Sequence, residues 1–253
     1  MKKLLAAIMI IQGLVITGCS KDNDVITNTG SGSGSGSGSG NSSGIAKGVV
    51  TNPDGSPMPN TKVVIENTMY YASYVYATTN AKGEYAVPVP IGSWKASVQI
   101  ERQFQGNRYK FNLHPDNPNA FACVEGAVRN FSWKISGAKP EGGYYGSPVI
   151  AYSDFLSFIN MADVELTLTP EGPLANGNPG SVITKRLVDV GGGEYGIDDV
   201  PIGKYTITAK NVVTNQNLQI RIRNNGNYAN SVSAIFNSDG LPDNLYHIVT
   251  EVK

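Results

Sequence analysis

Gly83–Glu84–Tyr85, followed by Val89–Pro90–Ile91–Gly92–Ser93–Trp94, returns later in the chain as Gly193–Glu194–Tyr195, followed by Val200–Pro201–Ile202–Gly203–Lys204–Tyr205. The two prolines are 111 residues apart (201 − 90), the length of one small domain, and the second copy carries one extra residue between its halves. Each piece has a mechanical reading. Gly83 and Gly193 suit a hairpin turn that needs φ > 0. Tyr85 and Tyr195 fit the first inward positions of the strand that follows. Pro90 and Pro201 end that strand because proline offers the ladder no donor. Gly92 and Gly203 complete a corner, and Trp94 and Tyr205 pack the core beyond it.

The surroundings of each copy agree. Val63–Val64–Ile65 and Val164–Glu165–Leu166–Thr167–Leu168 are hydrophobic strands ahead of the motif, and alternating β-formers follow it at residues 95–99 and 206–210. Asn52–Pro53–Asp54–Gly55 and Asn80–Ala81–Lys82–Gly83 are turns, since proline presets one central φ and Asp-Gly or Lys-Gly closes the return. Residues 72–79, rich in Tyr and Thr, form a further strand. Turn signals every 8–12 residues with almost no helical period predict an all-β sandwich.

Gly48–Val49–Val50, the run 54–63 (Asp-Gly-Ser-Pro-Met-Pro-Asn-Thr-Lys-Val), the run 78–85 (Thr-Thr-Asn-Ala-Lys-Gly-Glu-Tyr) and Val89–Pro90–Ile91–Gly92 together resemble the carboxypeptidase regulatory-like domain. The resemblance covers about residues 45–100; the second half shares only the Gly-Glu-Tyr and Val-Pro-Ile-Gly pieces. It implies a transthyretin-like, seven-strand Greek-key sandwich that is the non-catalytic appendage of its family, and the peptidase's zinc motifs are absent from this chain. The expected architecture is therefore two tandem transthyretin-like or Ig-like Greek-key β-sandwiches, residues 45–140 and 141–253. Gly142, Gly143 and Gly146 mark a hinge or joining loop between them, and residues 155–161 leave room for one helical turn.

Ahead of the sandwiches lie two other kinds of chain. Lys2 and Lys3 precede an apolar run from Leu4 to Ile16. As a helix, those 13 or so residues rise about 20 Å, too short for a bilayer core of about 30 Å, so residues 1–18 read as a secretory signal. The run ends in Ile16–Thr17–Gly18–Cys19, which resembles the lipobox of Bacteroidetes-type lipoproteins. The resemblance implies that Cys19 becomes an acylated N-terminus, anchoring the protein to the outer membrane. Ser20–Lys21–Asp22–Asn23–Asp24 resembles the acidic signal that sends such lipoproteins to the cell surface. Residues 30–40 alternate Gly and Ser strictly, so residues 19–44 are a tether: 25 such residues span roughly 25–30 Å as a flexible coil.

Composition removes several functions. Charged residues are 16% and hydrophobic residues 40%, which excludes both a disordered polyelectrolyte and a multi-span membrane protein. Without Lys2 and Lys3, 18 basic residues face 20 acidic ones, so nucleic acid is not an expected partner. Two His and two Cys exclude zinc clusters and disulfide scaffolds. No Gly-x-Ser-x-Gly, His-Glu-x-x-His or phosphate-binding glycine loop is present. No catalytic residue, metal ligand or cofactor is assigned, and Cys123 reads as an inert structural thiol.

Two groups remain as ligand-binding candidates. Tyr70, Tyr74 and Tyr76 share one face of a strand if Val75 points inward, and an outward row of tyrosines offers flat rings to a sugar or a protein. The bland alternative is cross-strand aromatic packing. Asp116, Asn117 and Asn119, beside His114 between Pro115 and Pro118, offer oxygens to hydroxyl groups but too few for calcium, or simply cap a loop. The expectation is a non-catalytic binding module for a glycan or an outer-membrane protein; the alternative is a structural, adhesive or assembly subunit.

Overall fold

The computed structural model describes residues 44–239, 241–242 and 245–253. The readings for the signal, for Cys19 and for the Gly/Ser tether lie outside them, residue 44 apart.

Nine strands make the first half: β1 (Ile45–Thr51), β2 (Lys62–Asn67), β3 (Tyr74–Thr78), β4 (Glu84–Pro88), β5 (Ser93–Phe104), β6 (Asn107–Pro115) and the two-residue β7 (Phe121–Ala122), β8 (Ala127–Val128) and β9 (Phe131–Ser132). They run in the order β3-β2-β5-β6-β9-β1-β4, with β7 on β5 and β8 on β1. Eleven more follow: β10 (Ser147–Ser153), β11 (Val164–Pro170), β12 (Ile183–Arg186), β13 (Val188–Gly191), β14 (Glu194–Val200), β15 (Lys204–Asn211), β16 (Gln216–Leu218), β17 (Ile220–Ile222), β18 (Asn225–Ala229), β19 (Val232–Ile235) and β20 (Ile248–Val252). They form two sheets, β13-β14-β10-β20-β17-β18 and β12-β11-β15-β16, with β19 also on β15. The described residues are all-β and sandwich-like, as the turn spacing predicts; residues 155–157 make a turn, and only two 3₁₀ turns, Cys123–Glu125 and Met161–Asp163, interrupt the strands.

The sequence repeat is a repeat of topology. The first strand of each half pairs antiparallel with the strand carrying Gly-Glu-Tyr (β1 with β4, β10 with β14) and parallel with a late strand (β1 with β9, β10 with β20). The next strand pairs antiparallel with the one that follows the corner (β2 with β5, β11 with β15).

At both corners one arrangement recurs. Trp94 Nε1 donates to the Pro90 carbonyl at 2.9 Å, and Tyr205 Oη donates to the Pro201 carbonyl at 2.9 Å. Both rings are buried, and each lies against the corner glycine. A Cβ on Gly92 would come within 3.3 Å of Trp94 Nε1, and one on Gly203 within 3.0 Å of the Tyr205 ring. Burial pushes the Tyr205 phenol up to about 12. Two details depart from the sequence reading. In the first copy the strand stops at Pro88, so Pro90 does not terminate it; Pro88 already lacks the ladder donor, and Pro90 supplies the acceptor instead. Tyr85 is buried, with its hydroxyl donating to the Arg129 carbonyl at 2.8 Å, whereas Tyr195 is only half-buried.

The extra residue in the second copy is a β-bulge. The β10–β14 register slips between Val149↔Ile197 and Ser147↔Val200, and Asp199 sits there at φ 62°. The bulge aims the Asp199 carboxylate at the hairpin between the halves. It accepts from Gly137 N at 2.8 Å and from Gly146 N at 3.0 Å. That hairpin, closed by the Ala138↔Tyr144 bridge, contains residues 140 and 141, where the sequence reading divides the halves. Farther along, Tyr109 Oη donates to the Phe236 carbonyl at 2.7 Å, Lys110 N donates to Tyr246 Oη at 2.7 Å, and the Tyr109 and Tyr246 rings lie 4.9 Å apart. One buried cluster runs through both halves, from Ala46 to Val252.

Two outcomes are expected. Asp199→Gly keeps the left-handed backbone but strips the two hairpin amides of their charged acceptor; chemical denaturation should show a loss of about 1–3 kcal/mol. Tyr205 ionises near its ordinary 10.0 when unfolded and near 12 when folded, so the native state holds a proton the unfolded chain has released. Its contribution is complete below pH 10 and is lost as pH rises toward 12, at about 1.4 kcal/mol per pH unit. Denaturation at pH 9, 10.5 and 11.5 should show Tyr205→Phe flattening the alkaline slope by that amount.

Candidate functional site

β3 is an edge strand and presents the tyrosines. Val75 and Ala77 turn inward against the core, so Tyr74 and Tyr76 face out, 42% and 53% exposed. Their rings are near-parallel, 6.1 Å between centroids and 20° apart. Lys62 Nζ, on the neighbouring β2, stands 3.9 Å over the Tyr76 ring. Glu66 is directly opposite Tyr74, and its negative charge, more than anything else, raises the Tyr74 phenol above the ordinary value. Continuing across the sheet, Lys95 and Ser97 on β5 lie opposite Glu66 and Val64, and Gln99 Nε2 donates to Asn112 Oδ1 at 3.0 Å. The result is an open face with two stacked rings at its edge and amides, a carboxylate and ammonium groups beside them. Such a surface suits a ligand with one flat apolar face and many hydroxyl groups.

Tyr70 is not part of this row. It lies in the β2–β3 loop, residues 68–73, with Tyr71 next to it and Ala72 at φ 54°. The cause is local: Asn67 Oδ1 accepts from Met69 N at 2.9 Å and from Tyr70 N at 3.0 Å, diverting the chain from strand geometry before parity can place Tyr70. The strand accordingly begins at Tyr74, two residues after the sequence reading starts it.

The second candidate group is spent on its own loop. Asp116 accepts through Oδ1 from Asn130 N at 3.0 Å and through Oδ2 from Asn130 Nδ2 at 2.7 Å. Asn117 Oδ1 accepts from Asn119 N, and the Asn119 carbonyl accepts from Arg129 Nη2 at 2.9 Å. These bonds latch the segment after β6 onto the one ahead of β9, three strands from β3 in the sheet order. His114 belongs to β6, with Nδ1 3.3 Å from Glu141 Oε1. The structure does not bring Asp116, Asn117 and Asn119 together with Tyr74 and Tyr76. Among the described residues no three His, Cys, Asp or Glu side chains cluster as metal ligands would.

One feature has no sequence signal. A cavity of about 460 Å³ opens beside β10 and β20, with Tyr144, Tyr152, Glu194, Arg223, Tyr246 and His247 in its wall. Tyr152 Oη is hydrogen-bonded to Glu194 Oε1, and the Arg223 guanidinium lies 3.5 Å over the Tyr152 ring. Burial, with the Glu194 contact second, raises the Tyr152 phenol. The wall residues come from separate segments, which no spacing rule connects.

No family model matches the chain. No curated protein matches it. Among solved structures, the Bacillus anthracis TIE protein aligns over 83% of this chain and 33% of its own, at 14% identity and TM-score 0.35. The chain thus spans about a third of that protein's length. A streptococcal ancillary pilin aligns over 82% of this chain and 68% of its own (11% identity, TM-score 0.27). A DUF3823 family protein from Bacteroides ovatus aligns over 76% and 98% (10% identity, TM-score 0.23). Likeness at this level carries nothing about function.

Proposed function

We propose that this chain is a non-catalytic, lipid-anchored binding module displayed on the bacterial surface, and that the Tyr74–Tyr76 face takes a saccharide. The observation that carries the reading is the stacked, outward pair with Lys62 over one ring. Two neighbouring rings held by a sheet edge are preorganised, so little side-chain entropy is lost when a sugar face settles on them. The flanking Glu66, Lys95 and Ser97 supply donors and acceptors at the pleat spacing, which matches an extended oligosaccharide better than a compact one. The lipobox at Ile16–Cys19, the Asp22–Asp24 stretch and the Gly/Ser tether support outer-membrane anchoring and surface display. The resemblance of residues 45–100 to carboxypeptidase regulatory-like domains, which are not the catalytic part of their family, supports a binding role.

The test is a glycan array followed by calorimetric titration of the purified protein with the best-retained oligosaccharide. Tyr76→Ala and Tyr74→Ala should each weaken binding about tenfold or more, while Tyr76→Phe keeps it. Retention on no glycan sinks the saccharide reading. If a pull-down instead captures an envelope protein and Tyr76→Ala releases it, the face serves a protein partner, and the assembly-subunit alternative takes its place.

A further inference from the structure

The β1–β9 half has two very different ends. Three loops cluster at the end where residue 44 joins β1. The Gly44 carbonyl accepts from Val89 N at 2.8 Å, the Gly92 carbonyl accepts from Cys123 N at 3.1 Å, and the Ser93 carbonyl accepts from Thr68 N at 2.8 Å. The loops at residues 68–73, 89–92 and 122–126 are therefore neighbours around Gly44. They carry Met69, Tyr70, Tyr71, Ile91 and Val124, all exposed; the first four range from 66% (Tyr70) to 101% (Tyr71). Glu125 is the one charged residue in the three loops. At the opposite end the turns at residues 52–61, 79–83 and 105–106 hold Asn, Asp, Ser, Thr, Lys and Gln, and their one large apolar side chain, Met58, is buried.

We infer that the Gly44 end rests on a lipid bilayer surface through Met69, Tyr70, Tyr71, Ile91 and Val124. This rests on the reading that Cys19 is acylated. An anchor at Cys19 and a tether that joins the fold at Gly44 place this end, and not the polar one, next to the membrane. On the sequence reading of residues 19–44 as a coil spanning roughly 25–30 Å, this end is held there at high effective concentration. The chemistry fits that neighbour. Tyrosine prefers the headgroup region, with its ring among acyl chains and its hydroxyl in water, and Met, Ile and Val add apolar area that a shallow insertion would bury. With one carboxylate and no Lys or Arg in these loops, an uncharged lipid surface suffices. Seating the fold on its Gly44 end leaves the Tyr74–Tyr76 face, on the side of the sheet, open to ligand.

An environment-sensitive fluorophore tests this, placed on Ile91→Cys at the proposed contact and on Lys82→Cys at the polar end, both in a Cys123→Ser background. The acylated protein is mixed with phosphatidylcholine vesicles, and flotation is measured in parallel. The expected result is flotation with a blue-shifted, brighter emission at position 91 and an unchanged emission at 82. Flotation with no change at 91, or equal changes at both positions, overturns the inference. A shift at 91 that grows with protein concentration without lipid overturns it too, since the end then binds a second copy. If the protein does not float, the anchor has failed, and titration of unacylated Cys19→Ala protein with vesicles decides alone. A 91-specific shift that Tyr70→Ser with Tyr71→Ser abolishes keeps the inference; no shift at millimolar lipid ends it.

Discussion

The structure depends on a buried aromatic donor bonded to a proline carbonyl four residues back. Each such half-buried bond gives the proline carbonyl beyond the strand a fixed partner, and a bond of this kind contributes about 0.5–1.5 kcal/mol. Pro88 in the first copy and Pro201 in the second withhold the ladder donor, and the glycine between the accepting proline and the aromatic leaves room for a ring to lie against the backbone. Trp94 over Gly92 and Tyr205 over Gly203 solve this with different chemistry, an indole N–H and a phenol O–H, at the same separation. The bond fixes how the chain leaves β4 for β5 and β14 for β15, and so how the two layers of each half face one another. The indole–phenol exchange shows that a buried ring with one donor is what the position selects.

From that corner outward, the sequence was legible wherever the cause is local. Turns at Asn52–Gly55 and Asn80–Gly83, the inward Val75 and the burial of Trp94 and Tyr205 all follow from residue types within a few positions. Strand parity does not carry back from Tyr74 to Tyr70, because the Asn67 side chain captures the amides of Met69 and Tyr70 and breaks the period. The extra residue of the second repeat was visible as a count, but nothing local says that it becomes a bulge whose Asp199 grips Gly137 and Gly146 across more than fifty residues of chain. In the sequence Asp116 reads as a free ligand group because its partner, Asn130, is fourteen residues away. The cavity beside Tyr152 was invisible for the same reason. Local rules see turns and faces; they do not see which distant groups a Greek-key path brings together.

The proposed function rests on a division between ends and faces. The polar turns, the sheet face and the apolar loops occupy different parts of the β1–β9 half: the turns at one end are polar, the β3 edge holds the stacked tyrosines, and the Gly44 end carries exposed apolar side chains. The continuous buried cluster, the Asp199 clamp and the Tyr109–Phe236 bond join the two halves, and the β3 edge that carries Tyr74 and Tyr76 belongs to that joined fold.

The most direct measurement is native-state hydrogen exchange of the Trp94 indole N–H. The chain has two tryptophans, and Trp133→Phe leaves the Trp94 signal by itself. If the bond to the Pro90 carbonyl holds the corner, this proton exchanges only when the whole fold opens, and its rate rises with denaturant along the global unfolding curve. Exchange through local fluctuation, fast and insensitive to denaturant, would contradict the account.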